Sequence, residues 1–354
     1  MVQAGLAREA MSVVQFGSPL RILPATGMIT ILTVALCAWP SRGYAQPTSR
    51  ESFARPRELP FPAGNPYSKA KEQLGRILFL EPRLSKSGTR ACATCHDPRK
   101  EFSDGVALPV DAEGRLAKRH TPTLWNLAWN RSFFWDGRAA TLEEQIKEPI
   151  VTELGLSLDE LTRRVAADPN LVSRFADAFE DQKVSITNIS SAIATYLRTL
   201  VSPRNRFDVW VEGNNTALSP EEQRGFDLFV GKANCVRCHS GWNFTDQRLH
   251  DTGIADDDDL GGRTFKTPTL RGIRWSQPFM HNGRIAKLRY VVEHYEHNFV
   301  PRPALSREIV AFTLTETERN DLVSFLRAIG DGESGGGRPP ITTLRPEGAP
   351  GEGP

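Results

Sequence analysis

Two short runs carry the chemistry of this chain, Cys92-Ala-Thr-Cys95-His96 and Cys235-Val-Arg-Cys238-His239. In each, two thiols three positions apart share one turn of backbone and an imidazole follows at once. Cys-x-x-Cys-His is the attachment signal for c-type haem, with two thioether bonds and the histidine as proximal iron ligand. A redox-active cysteine pair or half of a zinc site uses the same Cys-x-x-Cys spacing. The second copy, again followed directly by histidine, favours haem. Cys92, Cys95, Cys235 and Cys238 are therefore expected to hold two covalent c-type haems, with His96 and His239 as their proximal ligands. The remaining cysteine, Cys37, lies in the N-terminal leader, so none is left for a structural disulfide.

The surroundings of the two motifs repeat as well. Thr121-Pro122-Thr123-Leu124 recurs 146 residues on as Thr267-Pro268-Thr269-Leu270. At the same offset Trp129 matches Trp275, Phe133 matches Phe279, Gly137-Arg138 matches Gly283-Arg284 and Leu142 matches Leu288. Phe102-Ser103-Asp104 is echoed by Phe244-Thr245-Asp246, and Gly75-x-x-Leu78-Phe79 by Gly225-x-x-Leu228-Phe229. The chain reads as a duplicated module. The duplication allows one question to be put to both halves, because the second axial position decides what a haem does. A six-coordinate iron passes electrons, whereas a five-coordinate iron can bind and activate a peroxide. At the 146-residue offset Tyr295 faces Pro149, and proline has no group that could bind iron. Two functions follow from this: a haem enzyme that uses peroxide, or a non-catalytic di-haem electron-transfer protein with both irons six-coordinate.

The elements that must position these residues are helical. Ser219-Pro220-Glu221-Glu222 and Thr315-x-x-Glu318 are capping boxes, the second opening a helix apolar at Leu322, Phe325, Leu326 and Ile329. Thr141-x-x-Glu144 and Ser157-x-x-Glu160 open two more, and residues 187–200 read as a buried helix joining the halves. No strand pattern stands out, so the predicted class is all-α: two c-type cytochrome domains with long irregular loops, over 46–205 and 206–330. From Asp331 to Pro354 the chain is rich in glycine and proline and reads as a disordered tail. Residues 1–45 read as a signal peptide, with Arg8 and Arg21 ahead of the apolar run Met28–Trp39 and small residues at Gly43-Tyr44-Ala45. That run is too short for a bilayer, which needs about 20 residues. A periplasmic protein that does not span the membrane is expected. The 354 residues, 39% apolar and 24% charged, are ample for a packed core. A formal net charge of +2 argues against a nucleic-acid partner.

Several further motifs make the chain resemble the bacterial di-haem cytochrome c peroxidase superfamily, most closely its MauG-like group. They are Leu74-Gly75-Arg76-x-Leu78-Phe79, both haem motifs, Trp135-Asp136-Gly137-Arg138, Leu142-Glu143-Glu144-Gln145 and Pro278-Phe279-Met280-His281-Asn282-Gly283. The resemblance implies a peroxide site at the N-terminal haem and storage or relay of oxidising equivalents at the C-terminal haem. It implies hydrogen peroxide as oxidant, and as partner either a small electron-donor protein (a c-type cytochrome or cupredoxin) or a protein substrate. The second ligand of the C-terminal haem stands fourteen residues beyond His281, at Tyr295, with Met280 and His294 as competing ligands. Gln145 and Glu153 match the polar pair above the open haem, Pro149 the proline there, and Trp135 the tryptophan between the haems. Ser276 and Pro278 match carbonyls that hold a calcium ion. The chain also departs from the pattern. Ala112 stands where ordinary peroxidases carry a removable distal histidine, His120 where they carry a calcium-binding asparagine, and Ala233 where MauG carries an exit tryptophan. The spacing from Gln145 to Glu153 is two residues shorter than usual. The acidic run Asp256–Asp259 is read as a solvated loop.

Overall fold

The computed structural model describes residues 49–254 and 264–330, which fall within one compact unit. The leader with Cys37, the Asp256–Asp259 run and the tail from Asp331 lie outside the described residues.

Helices begin where a side-chain oxygen can take the first free backbone N–H groups. Helix α1, Lys69–Leu80, starts on Ser68, which accepts from Lys71 N, and buries Leu74, Gly75, Leu78 and Phe79. Helix α2 is the single turn Cys92–Cys95. Helix α3, Leu142–Thr152, opens on the Thr141–Glu144 capping box, and α4, Leu158–Ala166, on Ser157. Helix α5, Pro169–Ala178, is capped by Asp168, and α6, Ile186–Arg198, is buried over most of its length. Helices α7, Arg206–Val211, and α8, Pro220–Val230, precede the second haem motif. Helices α9, Leu288–Glu293, and α10, Glu316–Ala328, follow it. The expectation of a mostly α chain with two cytochrome c-type domains holds. One exception among the described residues is a small antiparallel ladder of β1, Leu249–His250, with β2, Phe265–Lys266, pairing Leu249 with Lys266 and His250 with Phe265. Strands of two residues are too short to show a period of two in sequence.

Two apolar cores form. The first gathers Leu74 and Leu78 of α1, Ile146 and Ile150 of α3 and Ile189 and Ile193 of α6 with Phe102 and Trp125. The second is largely aromatic: Phe207 and Phe226 each meet Phe53, Phe325 and one another with ring centroids 5.6–5.9 Å apart, beside Phe229 and Phe244. Each core has a helix pair brought into backbone contact by glycine. A Cβ on Gly75 would lie 1.9 Å from the Ala192 carbonyl oxygen of α6, and one on Gly225 2.2 Å from that of Asp321 in α10. Local geometry also recurs at the 146-residue offset. Phe133 bridges Ala139 as Phe279 bridges Ile285, and single 3₁₀ turns at Leu127–Trp129 and Ile273–Trp275 each follow a left-handed residue, Asn126 and Gly272.

Gly225→Ala is therefore expected to destabilise the protein by about 3 kcal/mol, at the upper end for overpacking, because backbone on both sides must separate. A chemical denaturation midpoint measures it, and a midpoint equal to wild type would show that α8 and α10 do not approach as described.

Candidate haem centres

The first centre is built on α2 and the loop after it. His96 Nδ1 donates to the Phe102 carbonyl at 2.8 Å, and the backbone of Pro122 is a second hydrogen-bond partner of the ring. Burial pushes the His96 pKa down and so keeps the imidazole neutral. Burial also pushes Cys92 up to about 12 and raises Cys95. A redox-active pair needs the opposite, a thiol lowered toward thiolate. Nor do the two thiols and the imidazole converge as zinc ligands do. Among the described residues the one grouping of three ligand-type side chains within 4.8 Å is Cys238, Asp246 and His250. Two free thiols on one turn and an oriented neutral imidazole are the donors that covalent haem uses, and the residues fit that group.

Helix α3 lies alongside this centre. Ile150 and Leu154 share with Cys92, Leu78, Leu84 and Ile193 the lining of one small cavity. Gln145, Pro149 and Glu153 fall at i, i+4 and i+8, one stripe of the helix, so the shortened spacing keeps them on a common face. Pro149 has no N–H to give, and its carbonyl accepts from both Glu153 N and Leu154 N at 2.9 Å, closing the helix. Glu153 is the half-buried residue that caps its C-terminus. Burial holds its carboxyl above the usual range, with nearby Asp111 adding, while the Thr152 hydroxyl, Arg115 and Arg90 pull the other way. The Glu153 carbonyl accepts from Ala112 N at 2.8 Å, so the loop without a distal histidine is tied to the same corner.

The second centre repeats the proximal arrangement: His239 Nδ1 donates to the Phe244 carbonyl at 2.9 Å, and burial pushes Cys235 up to about 12. Tyr295 stands in a π-helical turn, His294–Asn298, that continues α9. Such turns insert a residue and re-aim side chains, frequently at functional sites. Burial raises the Tyr295 pKa, the adjacent thiols of Cys238 and Cys235 raise it further, and a hydrogen bond with the Thr252 side chain opposes them. The phenol thus keeps its proton unless a cation draws it off. Of its competitors, His294 has its Nε2 engaged by the Thr252 carbonyl at 2.9 Å, and Met280 packs against the second apolar core at the turn it closes with Gly283.

Trp135 of the first half donates its indole N–H to the His120 carbonyl at 2.8 Å, and its ring meets His281 of the second half edge-on at 6.4 Å. His120 N donates to the His281 carbonyl at 2.8 Å, and His120 Nδ1 is engaged with the Val106 carbonyl at 2.9 Å, so His120 is a strut between the two cores. Ser276 caps the second 3₁₀ turn, and the Gln277–Pro278 bond beyond it is cis. Ala233 is buried behind α8. Thr252 gave no sign in sequence, and the repeated Phe-Ser/Thr-Asp run gave no sign of its role. Thr252 holds both His294 and Tyr295. Asp246 pairs with buried His250 at 2.8 Å. The Phe102 and Phe244 carbonyls lie in a repeat whose role only the fold reveals.

Residues 69–216 match the model of the di-haem cytochrome c peroxidase family, and residues 222–330 that of cytochrome c. The chain is 41% identical over 320 residues to the methylamine utilization protein MauG of Methylophilus methylotrophus, covering 86% of this chain and 94% of that one. It belongs to the di-haem cytochrome c peroxidase and MauG family. Cytochrome c551 peroxidase of Nitrosomonas europaea is 33% identical over 287 residues, 76% of this chain and 83% of its own. A MauG-like protein associated with microbial copper homeostasis has a similar crystal structure, with a TM-score of 0.70 and 29% identity, covering 78% of this chain and 93% of that one. The enzyme is thus a peroxidase-type oxidoreductase with two c-type haems. No helix among the described residues is long and apolar enough to cross a membrane.

Proposed function

We propose that hydrogen peroxide reacts at the haem held by Cys92, Cys95 and His96, and that its oxidising equivalents are shared with the haem held by Cys235, Cys238, His239 and Tyr295. When bound, the first haem supplies an iron site at which the O–O bond can break. The observation that carries the reading is the asymmetry of the two distal faces. At the second centre a buried phenol stands within electrostatic reach of both thiols. At the first, the matching position is Pro149, without a donor atom, on the helix that carries Gln145 and Glu153. O–O cleavage needs a proton moved from one oxygen to the other. Glu153, held above the usual carboxylate range, suits that shuttle, and Gln145 on the same stripe orients the peroxide. Trp135, fixed between the cores, serves as the relay. The recurring local geometry supports a duplicated module with domains at 46–205 and 206–330.

The electron-carrier reading needs a sixth ligand at the first centre, and Pro149 supplies none. Calcium is left out of the proposal. A hard cation takes oxygen ligands, and where the resemblance expects an asparagine amide beside the Ser276 and Pro278 carbonyls this chain has His120, engaged with Val106. The leader supports a periplasmic site of action, where a c-type cytochrome or cupredoxin, or a protein substrate, takes the equivalents. Ala233 separates the enzyme from an exit through a tryptophan at that position.

Mixing the fully ferric protein with stoichiometric peroxide tests the reading. The spectra of both haems are expected to change together without prior reduction, since Ala112 offers no distal histidine to remove. In Tyr295→His the second haem should stay low-spin but lose the long-lived oxidised state, because an anionic oxygen compensates added positive charge and imidazole does not. Inertness until one electron is added would replace this reading with that of an ordinary peroxidase.

A further inference from the structure

Each proximal histidine is oriented by a loop that its own half does not hold alone. The loop of the first motif ends at Glu101-Phe102, where both residues are left-handed (φ 57° and 56°) and the Phe102 carbonyl accepts the hydrogen bond of His96 Nδ1. Two consecutive non-glycine residues in that region need outside support. Thr123 Oγ1 donates to the Glu101 carbonyl at 2.7 Å and the Trp125 indole N–H to its carboxylate, both from the first half. The other wall of the carboxylate is Gly272 of the second half, left-handed at φ 76°, where a Cβ would stand 2.9 Å from Glu101 Oε2.

The loop of the second motif ends at Asn243-Phe244, and the reciprocal residue of the first half, Asn126, reaches it. Asn126 is fully buried and left-handed at φ 63°. Its Oδ1 accepts from Ser202 N at 2.9 Å, which fixes the amide and turns Nδ2 toward Asn243 Oδ1 at 2.7 Å. Thr269 Oγ1 donates to the same oxygen at 2.8 Å, while Asn243 Nδ2 is buried with no partner. The Asn243 side chain therefore hangs on two donors, one from each half, and the next residue is the one whose carbonyl orients His239.

We propose that the two iron ligands are cross-clamped: Asn126 of the first half is a positioning residue for His239, and Gly272 of the second half is a positioning residue for His96. The hydrogen bond at Nδ1 sets the orientation and basicity of a ligating imidazole, and with them the properties of the metal. The left-handed residue after each Thr-Pro-Thr-Leu turn thus tunes the haem of the opposite half, and a displacement of either loop reaches the other centre through one buried contact.

The test uses the holo-protein with two substitutions. Asn126→Gly keeps the left-handed backbone and removes the amide; Gly272→Ala adds the Cβ against Glu101. Haem loading is checked by mass, so loss of cofactor is not mistaken for loss of the clamp. Redox titration of each variant gives two waves, identified because replacing His96 or His239 alters one wave each. Asn126→Gly is expected to raise the midpoint of the second haem, as a loosened carbonyl makes the imidazole less basic, and to leave the first unmoved. Gly272→Ala should move the first haem and spare the second. Ser202→Ala, which removes another Asn126 contact at 3.0 Å but keeps the Asn243 bond, should move neither. If Asn126→Gly shifts the first haem, both equally, or neither, the cross-clamp is wrong; should Gly272→Ala fail to load two haems, Asn126→Gly decides alone.

Discussion

Replacing His96 with glycine is expected to reduce peroxide reactivity to background while the second haem remains attached and reducible. Cys92 and Cys95 would still bind their haem covalently, so the mass of the protein should be unchanged apart from the substitution. What is lost is the imidazole whose Nδ1 is engaged with Phe102 and which would ligate the iron. Exogenous imidazole, entering the space of the deleted ring, should restore part of the reaction. His239→Gly should do something different: the first haem should still consume peroxide, but the joint spectral change of the two haems should disappear. If His239→Gly abolishes reactivity and His96→Gly spares it, the assignment of the two halves is reversed.

The second large effect is expected at Glu153. Glu153→Gln preserves size and removes the titrating group, so formation of the oxidised state should slow by about 10²-fold, on the scale of general acid–base catalysis. The sign of the pH dependence follows from burial, which holds the carboxyl above its ordinary range. The protonated form persists to higher pH in the folded protein than in the unfolded chain. A shuttle must first take the proton of the peroxide, so the ionised carboxylate is the starting form and the rate should fall as pH drops through the raised pKa. That acid limb should be missing in Glu153→Gln. The same shift means that ionising Glu153 opposes folding, so the substitution should not cost stability at neutral pH. Stopped-flow mixing with peroxide across pH measures both effects, and unchanged rates in the variant would remove Glu153 from the reaction.

Much of this was legible before any coordinates. The haem motifs name their own donors, and the capping boxes at Thr141, Ser219 and Thr315 start helices where expected, because a cap is a local interaction among residues three apart. The Thr-Pro-Thr-Leu repeat announced paired turns but not their purpose. Asn126 and Asn243 are 117 positions apart and meet because two cores face each other, which no local pattern encodes. Tyr295 shows the same limit from another side. The duplication pairs it with Pro149 and the resemblance makes it a ligand, whereas the π-helical turn that carries it is one that apolar periodicity does not foresee. Helix α1 was hard to read for a physical reason too: Gly75 lowers its propensity, and it is there for contact with α6.

The burial of the motif thiols bears on how the protein is made. In the closed fold Cys92 lies behind α3, and burial pushes both Cys92 and Cys235 up to about 12. A thiol so shifted is almost never thiolate at neutral pH, and the thiolate is the reactive form. Thioether formation is therefore expected to be faster before α3 and the aromatic core close around the partly buried cysteines than after. Haem added to the already folded chain should attach slowly, and haem present during refolding should attach quickly.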